Sequence, residues 1–147
     1  MKKIRHLFIF IGGFFLFILD QSLKLLSLYI FTNAHLWLNI IGWQPFKNNG
    51  IAFSLPLPNF LTITLTIPTI IIISFFLFNF NKDTRHQLSF LGLSLIFWGA
   101  LSNLSDRIIH HTTIDYILIG TGIINFADIL IISGFIILFF KPLFKKK

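Results

Sequence analysis

The sequence predicts an all-α integral membrane protein with four transmembrane helices, both termini in the cytoplasm, and an irregular or β-like outer-leaflet segment between the first and second helices. Hydrophobic residues make up 55% of the 147-residue chain, its mean hydropathy is +0.84, and charged residues make up only 12%. A soluble domain carries about twice that charged fraction. We therefore expect residues 1–147 to form a single polytopic membrane domain.

Four apolar segments are predicted to cross the membrane, at about residues 7–29, 60–80, 88–109 and 123–140. Crossing the bilayer core takes about 20 apolar residues. The first segment follows basic residues, as in a signal peptide, but no small-residue cleavage site follows it, so we expect an uncleaved helix. The second begins with the strand-like alternation LTITLTIPT, but its apolar run continues to Phe80. This length favours a helix, kinked at Pro68.

The distribution of lysine and arginine predicts the orientation of the helices. Most basic residues lie before the first helix, between the second and third, and after the fourth: Lys2, Lys3, Arg5, Lys82, Arg85, Lys141, Lys145, Lys146 and Lys147. Basic residues favour the cytoplasmic side, so both termini are expected there. The opposite side keeps Lys47 and Arg107, with Lys24 near it. Because basic residues stand at the ends of apolar runs, the net charge of +7 indicates membrane anchoring and no nucleic-acid partner.

The segment from about residue 31 to residue 59 lacks the pattern of a membrane helix. It mixes Trp37 and Trp43 with several Pro, Asn and Gly residues. Tryptophan favours the membrane–water interface. We therefore expect this segment to lie on the outer leaflet in an irregular or β-like conformation.

The acidic residues are few and unusually placed. All five are aspartates: Asp20, Asp83, Asp106, Asp115 and Asp128. Only Asp83 lies in a plainly polar stretch. A charged side chain at the centre of a membrane helix costs about 3 kcal/mol on insertion scales. The aspartates in or beside apolar segments are therefore expected to have a function.

Two of these aspartates belong to an N-x-x-D pattern, Asn103 with Asp106 and Asn125 with Asp128. Residues three apart lie on one helix face. Since the third and fourth predicted helices run in opposite directions, we expect both pairs near the outer surface, with Asp106 facing Asp128. Two carboxylates in a partly dry site tend to share one proton. Such a pair can activate water and polarise a carbonyl, as in aspartic proteases.

Other interpretations remain open from the residues alone. An intramembrane aspartate can pair with Arg107 or Lys24, or hydrogen-bond between helices as packing. Asp20 and Lys24, at i and i+4, either lower the cost of insertion or shape the rim of a site. Asp115 alone indicates only a polar loop. A small transporter that relays protons would need polar residues through the full membrane depth, and a structural subunit would bury its Asp and Asn residues against a partner.

Metal and thiol chemistry are not indicated. The chain has no Cys, which excludes disulfides, thiolate metal sites and a cysteine nucleophile. His110 and His111 are adjacent, so they do not share a helix face, and no Glu or Cys accompanies them. A metal site is therefore not expected.

Five short motifs follow one another along nearly the whole chain. The first is D-x-x-x-K, at Asp20 and Lys24, and the second is N-x-G-x-A-F, at Asn48, Gly50, Ala52 and Phe53. The third is GALSNLSDR, at residues 99–107, the fourth is Asp115-Tyr116, and the fifth is INFAD, at residues 124–128. In this order, and in a chain of this kind, they resemble the motifs of the lipoprotein signal peptidases, the bacterial signal peptidase II family. The chain departs from that pattern at Trp98 and Ser102, where glycines are usual, at Ile124, where Phe is usual, and at Tyr116, where Phe is commoner.

The resemblance implies a membrane-embedded aspartic endopeptidase of the bacterial cytoplasmic (inner) membrane, with its active site at the outer leaflet. It would remove the signal peptide from diacylglyceryl-modified prolipoproteins, cutting on the N-terminal side of the lipidated cysteine. The resemblance implies Asp106 and Asp128 as the catalytic dyad. The supporting residues would be Asn48, Asn103, Arg107 and Asn125, which position substrate or carboxylates, and Asp20, Lys24 and Gly50, which shape the site. The implied partners are the lipidated substrate and membrane lipids, for an enzyme that acts as a monomer without a cofactor.

Overall fold

The helices of the protein pack around one central helix. The computed structural model describes residues 2–38, 40–50, 56–80 and 87–140. The helices are α1 (Lys2–Tyr29), α2 (Asn59–Phe78), α3 (Gln87–Ile109) and α4 (Phe126–Phe140). Helix α3 packs against the other three, and its buried residues recur along its whole length, from Ser89 to Arg107. It is therefore the element on which the site is assembled.

The outer faces of the helices are apolar. Helices α1, α2 and α3 are long and apolar enough to cross a membrane, and α4 is apolar but shorter, at 15 residues. Large side chains such as Phe8, Phe60, Ile71 and Phe139 expose more than half of their surface. Patches of this extent are rare on soluble proteins, so these faces suit lipid.

Helix α2 satisfies its own hydroxyl groups. Thr64, Thr66, Thr69 and Ser74 donate to the carbonyl four residues earlier, at 2.8, 2.7, 2.8 and 2.7 Å. A hydroxyl bonded in this way needs no water within lipid. The helix expected over LTITLTIPT is confirmed, and Pro68 lies inside it.

A four-stranded antiparallel sheet covers one end of the helices. Its strands are β1 (His35–Trp37), β2 (Ile41–Asn48), β3 (Thr113–Ile119) and β4 (Gly122–Ile124), in the order β1-β2-β3-β4. The register of β2 against β3 shifts between Trp43 and Phe46, where Pro45 lacks an amide hydrogen for the ladder. The turn between β3 and β4 contains Gly120 at φ +63°, a left-handed conformation that glycine adopts readily.

The sheet corrects part of the predicted fold class. Strands β1 and β2 confirm β-like structure between the first two helices. However, β3 and β4 come from the connection between α3 and α4, so the chain is not all-α. Residues 123–124, predicted to open the fourth helix, pair with β3 instead, and α4 begins at Phe126. The run TIDYILI is rich in β-branched and aromatic residues, which favour strands. Helices α2 and α3 begin one residue earlier than predicted, and α1 begins at Lys2.

Some sequence-based predictions stay predictions. Ala52 and Phe53 of the second motif, Asp83, and the basic residues Lys82, Arg85, Lys141, Lys145, Lys146 and Lys147 lie outside the described residues. The cytoplasmic position of both termini and the single-domain organisation also remain predictions.

Candidate active site

Buried polar side chains gather where the sheet meets the ends of α1, α3 and α4. Each exposes 6% of its surface or less: Asp20, Lys24, Asn48, Ser102, Asp106, Arg107, Asp115 and Asn125. Removing such groups from water is costly unless they are paired and hydrogen-bonded. Their contacts form one connected network.

Asn125 and Asp128 form a reciprocal cap at the start of α4. The Asn125 side-chain oxygen accepts from the Asp128 backbone N–H at 2.9 Å, and Asp128 Oδ2 accepts from the Asn125 backbone N–H at 3.2 Å. This is the geometry of a capping box, in which two unpaired backbone donors of the first turn are satisfied together. The N-x-x-D spacing thus fixes both the helix start at Phe126 and the position of the Asp128 carboxylate.

Asp115 lies on β3 and is held by two asparagines. Asn48 Nδ2 donates to Asp115 Oδ2 at 2.9 Å, and Asn125 Nδ2 donates to Asp115 Oδ1 at 2.7 Å. The first bond comes from the adjacent strand β2, and the second from the cap of α4. Asn125 therefore contacts both Asp115 and Asp128.

The environment of Asp115 favours its protonated form. The pKa of this carboxyl is raised from 3.8 to about 6: burial is the largest cause and the nearby Asp128 carboxylate adds to the rise, while the bonds from Asn48 and Asn125 and the Lys24 charge oppose it. Desolvation disfavours the charged form, whereas hydrogen bonds to the carboxylate favour it. Asp115 can therefore hold a proton close to neutral pH.

Asn103 links the Lys24 ammonium to Asp128. Its Nδ2 donates to Asp128 Oδ1 at 2.9 Å, and its Oδ1 accepts from Lys24 Nζ at 3.0 Å and from Asn125 Nδ2 at 3.1 Å. Since an ammonium can only donate, Lys24 fixes which end of the Asn103 amide faces Asp128.

A cavity of about 310 Å³ opens beside the carboxyl groups of Asp115 and Asp128. Its polar lining is Asn48, Thr62, Thr66, Asn103, Arg107, Thr113, Asp115 and Asp128, and the rest of its wall is Ala100, Leu104, Ile123, Ile124, Ile131 and Ile132. A mostly apolar cavity with a few convergent polar groups is typical of a ligand site. The chemistry available in it is that of two neighbouring carboxyl groups.

Asp106 is placed behind this cavity. Its Oδ2 lies 2.8 Å from Lys24 Nζ and accepts from the Ile114 N–H at 3.1 Å, and its Oδ1 accepts from Gln21 Nε2 at 3.0 Å. Among the described residues that line the cavity, Asp115 is present and Asp106 is not. The structure thus places Asp115 in the same cavity as Asp128, and the contacts of Asp106 join it to Lys24 and Gln21 of α1.

Asp20 anchors the same network from α1. Its Oδ2 lies 2.8 Å from Lys24 Nζ, and its Oδ1 accepts from the Tyr116 hydroxyl at 2.9 Å and from the Ala127 N–H at 3.1 Å. Burial, together with the Asp20 charge, raises the pKa of Tyr116, so the phenol stays a donor. The predicted i,i+4 pair of Asp20 and Lys24 is present and joins α1 to the start of α4.

Arg107 holds the turn that carries Asn48. Its guanidinium donates to the Gly50 carbonyl and to Asn59 Oδ1, the latter at 3.2 Å. The Gly50 N–H donates to Asn48 Oδ1 at 2.9 Å. This arrangement fixes Asn48 against Asp115 and leaves Arg107 on the cavity wall.

The predicted site residues therefore all lie in or next to one network, but four further residues belong to it. Gln21 contacts Asp106, and Asn59 contacts Arg107. Ser102 and Tyr116 both contact Asp20. Only Ser102 and Tyr116 stood out in the sequence, as departures from a motif. Within the described ranges, no group of three or more His, Cys, Asp or Glu side chains could hold a metal ion.

Comparison with known proteins assigns the chain to a family. The family model described as signal peptidase (SPase) II matches residues 13–144. A lipoprotein signal peptidase of Helicobacter pylori (strain HPAG1) is 31% identical over 97% of this chain and 92% of its own length. One from Lactococcus lactis subsp. lactis (strain IL1403) is 30% identical over 100% of this chain and 99% of its own length. One from Bartonella bacilliformis is 36% identical over 86% of this chain and 82% of its own length.

Solved structures share the fold. One bacterial membrane enzyme determined by the in meso method superimposes with a TM-score of 0.78 at 23% identity, over 97% of this chain and 92% of that chain. A second, determined by the same method, gives a TM-score of 0.73 at 21% identity, over 97% and 94%. The four helices and the sheet are thus a known membrane-enzyme architecture. With the family model covering nearly the whole sequence, this multi-pass membrane protein belongs to the signal peptidase II family of peptidases.

Proposed function

We propose that this protein is an aspartic endopeptidase that removes signal peptides from diacylglyceryl-modified prolipoproteins, and that Asp115 and Asp128 are its catalytic residues. One observation carries the choice of residues: both carboxyl groups line the same cavity, and Asn125 contacts both. Asp106, the partner predicted from the N-x-x-D patterns, is engaged by Lys24 behind the cavity. Asp106 is therefore proposed as a positioning residue that neutralises Lys24.

The proposed reaction follows from the unequal environments of the two groups. Asp115, with a pKa raised to about 6, carries the shared proton and donates it to the oxygen of the scissile carbonyl. Asp128 lies in the first turn of α4, where the helix dipole favours a negative charge. As a carboxylate it takes a proton from water while the water oxygen attacks the carbonyl carbon.

The second half of the reaction returns both groups to their starting states. The tetrahedral gem-diol collapses, the C–N bond breaks, and the proton on Asp128 passes to the leaving amine. One hydroxyl proton of the gem-diol returns to Asp115 as the new carboxyl group forms. No atom or electron is needed beyond water and the peptide.

The lining of the cavity supports a lipid-linked substrate. Thr62 and Thr66 of α2 and Ile131 and Ile132 of α4 extend the cavity wall along the apolar helices. A substrate with a membrane-inserted signal peptide and acyl chains would be met at this depth. We further propose that the site faces the outer leaflet of the bacterial inner membrane, as the basic residues predict, and that a monomer is active.

A mobility-shift assay tests the proposal. Purified protein is mixed with a diacylglyceryl-modified prolipoprotein, and Asp115→Asn, Asp128→Asn and Asp106→Asn are run beside it. We expect wild type to cleave, the first two variants to lose cleavage by at least about 10³-fold, and Asp106→Asn to keep a reduced rate. Asp83→Asn, outside the described residues, serves as the control and should match wild type. Full activity of Asp115→Asn would reject the proposed pair, and no cleavage by folded wild type would reject the reaction.

A further inference from the structure

Ser102 occupies a position where the signal peptidase II motif usually has glycine, yet its hydroxyl is fully used. It donates to Asp20 Oδ2 at 2.6 Å and accepts from Gln21 Nε2 at 2.7 Å and from Lys24 Nζ at 3.2 Å. A serine hydroxyl has one donor and two acceptor positions, and here all three are occupied at 0% exposure. The side chain is therefore built into the network and does more than fill space.

Gln21 completes this arrangement. Its Nε2 reaches both the Ser102 hydroxyl at 2.7 Å and Asp106 Oδ1 at 3.0 Å. Ser102 and Gln21 thus join Asp20 to Asp106, the two carboxylates on either side of the Lys24 ammonium. Each carboxylate lies 2.8 Å from Lys24 Nζ.

The position of the Lys24 ammonium matters because four acceptors share its three hydrogens: Asp20 Oδ2, Asp106 Oδ2, Asn103 Oδ1 and Ser102 Oγ. The bonds from Ser102 and Gln21 to the two carboxylates stabilise part of their negative charge. Without them, Lys24 alone would have to offset that charge and would be drawn away from Asn103. The Asn103 amide would then lose one of the two donors, Lys24 Nζ and Asn125 Nδ2, that hold its oxygen and turn its Nδ2 toward Asp128.

We propose that Ser102, together with Gln21, is a positioning residue for the peptidase reaction, which holds the Lys24 ammonium where it orients Asn103 toward Asp128. This inference rests on the proposed function. It gives Ser102, which replaces the usual glycine of the family motif, a role in positioning the Asp128 carboxylate.

The test compares Ser102→Ala with Ser105→Ala in the full-length enzyme. Ser105 lies on the same helix, but among the described residues its hydroxyl bonds only to its own helix, at Leu101 O, at 2.8 Å. With a diacylglyceryl-modified prolipoprotein as substrate, we expect Ser102→Ala to lower kcat by about 10- to 100-fold, the range for small misplacements of reacting groups. KM should stay within about twofold, and Ser105→Ala should match wild type.

Two further measurements separate positioning from general structural support. Ser102→Gly leaves room for a water molecule among three polar partners, so it should recover part of the lost kcat. In Ser102→Ala, the limb of the pH profile governed by Asp115 should move to higher pH, because the Lys24 charge that lowers the pKa of Asp115 is displaced.

Three results have distinct meanings. If Ser102→Ala cleaves like Ser105→Ala, the inference is wrong. If its activity falls only in proportion to the loss of folded protein, with an unchanged pH profile, the inference is also wrong. If folded wild type does not cleave, the proposed function itself fails, and this is seen before any variant is compared.

Discussion

Asn125 Nδ2 lies 2.7 Å from Asp115 Oδ1, so a single amide joins the sheet to the first turn of α4. The same residue caps α4 through its side-chain oxygen, which accepts from the Asp128 N–H. The spacing between the two proposed catalytic carboxylates is thus set by the residue that also starts the helix. Local helix chemistry and the geometry of the site depend on one side chain.

Replacing Asn125 by Ala tests this double role. Loss of an N-cap side chain costs about 1 kcal/mol of stability, and loss of the bridge leaves Asp115 and Asp128 without their common partner. We expect a lower thermal unfolding temperature in detergent and a fall in kcat of about 100-fold or more. Asn79→Ala is the matched control, because Asn79 is exposed and bonds to its own helix at Phe75 O. Equal rates for the two variants would contradict the bridging role.

The Lys24 ammonium is expected to be essential for folding. It is 2% exposed and lies 2.8 Å from a carboxylate oxygen of both Asp20 and Asp106. Lys24→Met would leave two buried carboxylates without a cation, and breaking a buried ion pair in this way costs about 3–5 kcal/mol. We expect a large loss of thermal stability in detergent, whereas Lys47→Met, at an exposed position of β2, should change it little. Similar unfolding temperatures for the two variants would contradict this role of Lys24.

The rate of cleavage should depend on the proton held by Asp115. Its pKa is raised to about 6, so the proton leaves as the pH rises through that value, and the proposed reaction slows on the alkaline side. The same shift means that folding gains stability from this group at pH below about 4 and loses that contribution as the pH rises to about 6.

The variant Asn48→Ala tests whether Asp115 is the group that governs this pH dependence. The Asn48 bond favours the ionised form of Asp115, so its removal raises the pKa of Asp115 further. The alkaline limb of kcat/KM is therefore expected to move to higher pH, although the rate at the optimum falls. The exposed Asn33 provides the control variant Asn33→Ala. A limb that stays in place, or moves to lower pH, would remove Asp115 from the role of acid.

Two neighbouring glycines of α1 allow a test of helix packing. A Cβ atom added at Gly13 would lie 2.2 Å from Trp98 Cδ1, whereas one added at Gly12 would meet nothing within 4 Å. Trp98 cannot easily move, because it is buried and its Nε1 donates to Phe10 O at 3.0 Å. Gly13→Ala should therefore destabilise the protein by about 1–3 kcal/mol, as overpacked cores do. Gly12→Ala should be neutral or stabilising, so the two unfolding temperatures should differ clearly.

The sequence predicted the helices well because lipid imposes a simple rule of length and apolarity. It also placed Asp20 beside Lys24 and Asn125 beside Asp128, since each pair is local. The proposed partner of Asp128, Asp115, could not be found in this way. The equal spacing predicts a shared helix face for both N-x-x-D patterns, but the second is a capping box in which Asn125 precedes the helix.

The contacts of Asp106, in the first pattern, were hidden for a different reason. Asp106 turns toward Lys24, which is distant in sequence, and no spacing rule reveals that α1 supplies a cation at that position. Asp115 alone indicated only a loop, because its use depends on β3 pairing with β2 and bringing it next to Asn48. Contacts between distant segments thus decide which aspartates face the cavity.

The two proposed catalytic carboxylates belong to different layers of the molecule, Asp115 to the sheet and Asp128 to an apolar helix. The height of a helix in a bilayer follows the thickness of the hydrocarbon, and a mismatch is accommodated by tilt or displacement. A thicker or thinner membrane would therefore strain the hydrogen bonds through which Asn125 holds Asp115 and Asp128 together. The rate of cleavage would then depend on bilayer thickness. In vesicles of uniform acyl-chain length, cleavage should be fastest at one chain length and slower with shorter or longer chains.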